Sequence, residues 1–395
     1  MAAQIDRLSV DLEIVTPLFL GGANPQGPPE LRPPSVRGAL RFWWRAWHQA
    51  CAPSTTAEEL YRAESQVFGN TGAASPLVVR TAGHPQRIDM ARPEQPAGLN
   101  YLLYGLHTRS SEGPVRLRYR PAFNPGQHLS IALSGRLAPG GARLNPEALA
   151  ALWLLCNLGG LGARTRRGAG AVRVLNVQGT WPDALPPLQL DARSPAELCS
   201  RLGSALRQLL DTAPRAAPVQ LGIPSLHPAL TWLGVFPKEW PNWEEALEEV
   251  GEAFRAFRNR HGPDYQGVKT FIQTGQPPAT VERAAFGLPL QFFYRSLPAN
   301  APAGNKATVA GRRARARKID RSASPLHFRV VPLTSGGCAV VALAFVLPLL
   351  PPRSTLSIQS ALHSGSPQPP GQAILAKYME AVSKQLGPWL EVDYA

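Results

Sequence analysis

The chain has 395 residues, 44% of them hydrophobic, and a formal net charge of +14. Such a composition excludes a disordered tail and leaves room for two domains of ordinary size, each with its own core. The basic excess sits mostly on Arg, whose planar fork matches phosphate oxygens and stacks on bases, so it fits a nucleic-acid partner or an acidic surface. A GC-rich genome would also favour Arg over Lys, but it accounts less well for the net charge.

Cys51, Cys156, Cys199 and Cys338 lie far apart with no C-x-x-C pair, so neither a zinc site nor a disulfide framework is expected. The start, MAAQIDRLSV, lacks the basic and apolar regions of a signal peptide. The longest apolar run, Cys338 to Leu350, is too short to span a bilayer and reads as a buried strand. A soluble, cytoplasmic protein without membrane, cofactor or metal is the expectation.

Leu8, Val10, Leu12 and Ile14 alternate with polar residues, which predicts a strand with one buried face. A Gly/Pro-rich loop from Thr16 to Pro34 precedes a helix, PSVRGALRFWWRAWHQAC, with Ser35 as its N-cap. A second helix is predicted from Ala57 to Val67. Strands are predicted at Leu77–Arg80, Tyr101–Leu106 and His128–Leu137. Asn145 then caps a helix that starts at Pro146 and ends at Gly159-Gly160, and Ala171 to Val177 reads as a strand. The order is compatible with a βαββαβ ferredoxin-like unit over residues 1–180, with Gly83 to Pro125 as an excursion. TWPDALPPLQLDARSP reads as a linker, and Ser194 to Glu197 as a capping box. Further on, the pattern predicts a helix over Asn242–Arg260 and strands near Leu288–Tyr294, His327–Val331 and Cys338–Leu349. A last helix is predicted over Gln372–Leu386.

Three features carry the chemistry. On the first helix, Val36, Leu40, Trp43 and Trp47 share one face; Arg37, Arg41, Arg45 and His48 share another, with Trp44 at the border. Close like charges repel, so an anionic partner would relieve a cost; pairing with Glu58, Glu59 or Glu64 is the alternative. In NLGGLGARTRRGAGAV, Gly159, Gly160, Gly162, Gly168 and Gly170 surround Arg164, Arg166 and Arg167. Glycine lets backbone approach a phosphate and the arginines supply charge, although a flexible surface loop would look the same. It is neither a Walker loop nor a dinucleotide fingerprint. The third is GRRARARK, Gly311 to Lys318, after a stretch that looks flexible. No catalytic motif stands out, and Glu244, Glu245, Glu248 and Glu249 read as a solvated or docking face of one helix. Of the eight histidines only His48 is placed as a general base.

The segment TPLFLGGANPQGPPELRPPSVRGALRFWWRAW and ESQVFGNTGAASPLVV resemble the opening of RAMP-superfamily proteins of type III CRISPR systems. GGLGARTRRGAGAV is similar to that superfamily's glycine-rich loop. FGLPLQFFY and DRSASPLHFRVVPL resemble later motifs of the first-subunit family of Cmr-type (type III-B) effector complexes. The resemblance implies an α+β chain of two ferredoxin-like (RRM-like) domains in tandem with inserted loops, 1–180 and a degenerate 181–395. It implies a non-catalytic subunit near the 3′ end of a guide RNA, with guide and target RNA and other RAMP subunits as partners.

The paired aromatics of an ordinary RRM strand are missing, so contact should run to phosphate and sugar. The candidate RNA contacts are Arg37, Arg41, Trp44, Arg45, His48, Gly159, Gly160, Gly162, Arg164, Thr165, Arg166, Arg167, Gly168, Arg312, Arg313, Arg315 and Arg317. The guanidinium groups of the first helix and the glycine loop are expected to converge on one nucleotide backbone. The alternative is a metal-independent guide-processing endoribonuclease with His48 as base.

Overall fold

The computed structural model describes residues 6–24, 27–83, 85, 87–88, 97–109, 117–136, 143–211, 217–259, 262–300, 302–313, 318–319 and 321–395. Two compact units emerge. The first is Met1–Glu252 with His327–Leu343 and Leu386–Ala395; the second is Ala253–Leu326 with Ala344–Gln385.

The first unit opens with strand β1 (Arg7–Ile14), whose alternate residues Leu8, Val10, Leu12 and Ile14 are all fully buried. Helices α1 (Pro33–Cys51) and α2 (Ala57–Phe68) and strand β2 (Leu77–Ala82) follow. Next come a short helix α3 (Ala97–Leu102), strand β3 (His128–Gly135), helix α4 (Pro146–Asn157) and strand β4 (Val172–Gln178). The sheet order is β2-β3-β1-β4, with every neighbour pair antiparallel. That is the ferredoxin-like arrangement, with α1 packed against α4.

Local chemistry sets the ends of these elements. Thr56 and Glu59 form a reciprocal capping box at α2, and the Asn145 side chain accepts from Glu147 N at α4. Helix α1 begins earlier than expected. Pro33 and Pro34 occupy its first positions, where a missing N–H costs nothing, so Arg32 rather than Ser35 stands at the N-cap and no side chain caps it. The strand expected over Tyr101–Leu106 is not formed. Helix α3 covers Ala97–Leu102, its first amides bound by the Glu248 carboxylate at 3.0 and 2.7 Å.

The stretch expected to be a linker is packed rather than loose: Leu185 and Leu188 are buried, and Trp153 Nε1 donates to Pro187 O. Ser194 then caps helix α5 (Pro195–Leu210) by accepting from Glu197 N. A second repeat follows in the same βαββαβ order: strand β5 (Thr231–Val235), helix α6 (Trp243–Asn259), strands β8 (Leu326–Pro332) and β9 (Cys338–Phe345), helix α8 (Ala373–Leu386) and strand β11 (Leu390–Glu391). Its sheet order, β8-β9-β5-β11, repeats that of the first sheet. Strand β9 is buried along its whole length, as its unbroken apolar run demands. The fold is two ferredoxin-like domains in tandem, carrying inserted elements.

The insertions build the second unit's own sheet. Helix α7 (Gly262–Thr274) and strands β6 (Leu290–Phe293) and β7 (Lys306–Arg313) lie between α6 and β8, and strand β10 (Ser354–Gln359) follows β9. The order is β6-β7-β10, extended by Ser364–Gly365. Val268, Phe271, Phe292, Val309 and Ile358 lie in its core. The basic run expected in a flexible loop starts inside β7: Arg312 and Arg313 are exposed strand residues, while Arg315 and Arg317 lie outside the described residues. Among the described residues, no helix is long and apolar enough to cross a membrane and no group of His, Cys, Asp or Glu could hold a metal ion.

Candidate nucleic-acid interface

Helix α1 presents two working sides. Val36, Leu40, Trp43 and Trp47 are buried as the periodicity predicts. The arginine stripe, however, faces α2. Arg41 and Arg45 both engage the Glu64 carboxylate, Arg45 at 2.9 Å, and the Glu64 side chain is only 7% exposed. Arg41 Nη2 also donates to Gly69 O at 3.1 Å, and Arg37 Nη2 reaches Leu77 O at 3.5 Å. The anion that relieves the like-charge stripe is therefore internal. Trp44 is fully buried, donating through Nε1 to Glu147 Oε2 at 2.7 Å and stacking on His48 with ring centroids 4.5 Å apart. It has no surface to offer a partner. His48 Nε2 lies 3.3 Å from Ser54 Oγ, and burial lowers its pKa against the opposing Glu147 charge.

The glycine-rich segment is a tightly packed bend rather than a floppy loop. Thr16 fixes it at both ends of one turn, donating to Gly168 O at 2.7 Å and accepting from Ala171 N at 2.9 Å. Ala163 N donates to Phe19 O and Gly170 N to Pro17 O. A Cβ at Gly170 would fall 1.9 Å from Leu161 O, and one at Gly168 would fall 2.3 Å from Leu247 Cδ2. Both also hold a left-handed φ, of 69° and 87°, which glycine alone adopts cheaply. These glycines serve close packing. Gly162 is exposed to solvent on one side, but a Cβ there would still fall 2.5 Å from Phe19 O.

Between this bend and α1 opens a cleft of about 460 Å³. Its α1 side is Ser35, Ala39, Phe42 and Trp43; its other side is Gly159, Gly160, Gly162, Thr165 and Arg166; Phe19 and His327 complete it. At 100° per residue, the α1 lining lies roughly 145° around the helix from Arg37, Arg41 and Arg45. The expected convergence of the two arginine groups does not occur. Of the candidate residues, the cleft gathers Gly159, Gly160, Gly162, Thr165 and Arg166. Arg164 turns away to donate to Tyr104 O.

The Arg166 guanidinium lies 5.3 Å over the Phe42 ring, and its burial lowers its pKa. His327 stacks on the same ring, 5.9 Å away at 20°. Burial, aided by the nearby Arg166 and Arg167 charges, drives the His327 pKa well below 6.5, so the imidazole is neutral at pH 7. The cleft thus combines flat aromatic walls, a hydroxyl, an exposed glycine and one cation, the elements that hold a base and its phosphate.

Arg329 was not among the candidates, and it organises the site from beneath. It is buried, and it donates to Gly159 O and Cys156 O and, at 2.5 Å, to Val172 O. It thereby ties the end of α4, the start of the glycine bend and the start of β4. The signal was its place in the motif LHFRVVP: an arginine in a strand that is apolar apart from it and His327 needs buried acceptors.

A RAMP-superfamily model matches residues 11–173. The Cmr subunit Cmr1-2 of Pyrococcus furiosus is 31% identical over 182 residues, spanning 42% of this chain and 92% of that protein. Cmr1-1 of the same organism is 28% identical over 167 residues, 42% of this chain and 46% of that protein. The apo crystal structure of Cmr1 from Pyrococcus furiosus aligns over 98% of both chains with a TM-score of 0.56 at 19% identity. A chain of the type III-B Cmr-beta complex bound to cognate target RNA aligns over 97% of this chain and 100% of its own, with a TM-score of 0.56 at 11% identity. The glycine bend and most of the first repeat fall inside the family match, and the second repeat shares the fold of the solved relatives: the chain belongs to the Cmr1 family of the RAMP superfamily.

Proposed function

We propose that this chain is a non-catalytic RNA-binding subunit of a type III-B CRISPR effector complex, where it contacts guide or target RNA near the guide 3′ end. It works in the cytoplasm beside other RAMP subunits. The RNA seat is the cleft between α1 and the glycine bend, with Arg166 on phosphate and the Phe42–His327 wall against a base. The carrying observation is the placement of Arg166, Thr165 and exposed Gly162 around one aromatic-walled cleft. The family relationship and the target RNA in the solved Cmr-beta complex support the same reading. The engagement of His48 with Trp44 and Ser54 supports a structural part for it over that of a general base. The domain boundary near residue 180 belongs to this proposal, since β4 ends at Gln178 and the second repeat begins later.

The test is a salt titration of RNA binding by the full chain. Arg166→Ala should weaken binding by about tenfold, one charge-assisted contact, and reduce the salt slope by about 0.7. A well-folded Arg166→Ala protein with unchanged affinity and slope would refute the assignment.

A further inference from the structure

The basic charge of this chain is not spread evenly. Residues 253–326 and 344–385 hold 16 Lys and Arg against 4 Asp and Glu, a net of +12 out of the chain's +14. The first unit, which contains the cleft, holds 25 against 23 and is nearly neutral at +2. The electrostatic footprint of a polyanion therefore points at the second unit.

That unit's sheet has one face in its core, through Leu290, Phe292, Ala307, Val309, Leu356 and Ile358. Strand register fixes what stands on the other face. Phe293 pairs with Lys306, Gln291 with Thr308, Thr308 with Gln359 and Arg312 with Thr355. Cross-strand partners share a face, so all of these point outward. Phe293 is 56% exposed, far more than a ring with a place in the core, and Lys306 Nζ sits 5.8 Å from its centroid. Lys306 and Arg312 are both exposed, and among the described residues no carboxylate pairs with either. They stand six residue steps apart along the strand, about 20 Å at its rise. Between them the face carries half-buried Thr308, exposed Gln291 and Gln359 on the neighbouring strands, and buried Ala310, all of little bulk.

We propose that this outward sheet face, with Phe293 as a stacking platform and Lys306 and Arg312 as phosphate contacts, is a second binding surface for single-stranded RNA. It rests on the RNA-binding reading above and extends it to a surface separate from the cleft. An aromatic ring stacks on any unpaired base, and cations at the two ends of the face track the backbone, so the surface suits a single strand without sequence preference. A duplex keeps its bases stacked inside and offers nothing to Phe293.

The experiment uses the full chain and a fluorescein-labelled single-stranded RNA, titrated over a range of salt. The double variant Lys306→Gln/Arg312→Gln should flatten the salt slope by about 1.4, the value for two phosphate contacts on a single strand. Phe293→Ala should weaken binding about fivefold or more while leaving the slope in place. Ultraviolet crosslinking of the wild-type protein should attach RNA to the peptide containing Phe293, a readout that needs no substitution. Wild-type affinity and slope in both variants, with melting curves intact and Arg166→Ala still impaired, would overturn this surface and leave the cleft reading standing. Loss of complex assembly at unchanged RNA affinity would also overturn it, since the face would then dock an acidic protein. A wild-type chain that binds no RNA would remove both readings.

Discussion

Replacing Arg329 with Met keeps the length and the apolar stem but removes the guanidinium. Three carbonyls, those of Cys156, Gly159 and Val172, then lose a charged donor. Hydrogen bonds to charged groups contribute about 1.5–3 kcal/mol each, so the gross loss is about 5–9 kcal/mol. Burying the cation is itself costly: its pKa falls to about 10, and relief of that burden returns several kcal/mol. The net expectation is a loss of about 2–5 kcal/mol, or a fall in Tm of about 4–20 °C for a unit of this size. Calorimetry gives the first reading. Hydrogen exchange gives the second: protection should fall over α4 and β4, which the guanidinium ties together, before it falls elsewhere in the first unit. RNA affinity should fall with it, because Gly159 opens the bend that walls the cleft. A variant that melts within about 1 °C of wild type, with α4 and β4 still protected, would show that the three bonds are offset in full and that Arg329 organises nothing.

Two further outcomes test the site from other directions. Glu64→Gln should cost about 1–3 kcal/mol, because Arg41 and Arg45 lose their shared anion, and it should not weaken RNA binding. Weaker RNA binding in a stable Glu64→Gln protein would contradict the internal role given to that stripe. His327→Gln tests the buried imidazole. Its folded pKa lies below the unfolded 6.5, so below that pH the unfolded chain takes up a proton that the folded one refuses. The stability tied to neutral His327 is complete above about pH 6.5 and is lost as pH falls below it, at about 1.4 kcal/mol per pH unit. Between pH 7.5 and 5.5 the wild type should lose about 1.4 kcal/mol more than the variant in urea denaturation, and parallel losses would refute this.

Elements whose signals are local were legible in both repeats. The period-two run in β1, the Asn145-Pro146 start of α4 and the apolar stretch of β9 each fix an element without help from the rest of the chain. Strand β7 was hidden because its outward side carries Lys306 and Arg312, so charge masked a strand whose inner residues are Ala307 and Val309. Helix α3 was hidden for a different reason. Its sequence, AGLNYL, has little helical preference, and its first turn is held by Glu248, 150 residues away. A cap supplied by tertiary structure leaves no mark in the local pattern.

The same distinction explains the site. A stripe of Arg at i, i+4 and i+8 states that an anion lies nearby, but not whether it is a phosphate or a carboxylate of the same chain. Here Glu64 supplies it from α2. A cluster of glycines states that backbone comes close to something; at Gly168 and Gly170 that something is Leu247 and Leu161, and at Gly162, although it is exposed, it is the Phe19 backbone. Net charge carries the more robust information, because pairing within the chain cancels in the sum. Once it is taken unit by unit, the surplus leaves the first unit, where acids match bases almost one for one, and settles on the second, where they do not. A polyanion responds to that unmatched remainder, so the salt dependence of RNA binding should be set mainly by the second unit, with the cleft contributing fit at one nucleotide and little of the slope.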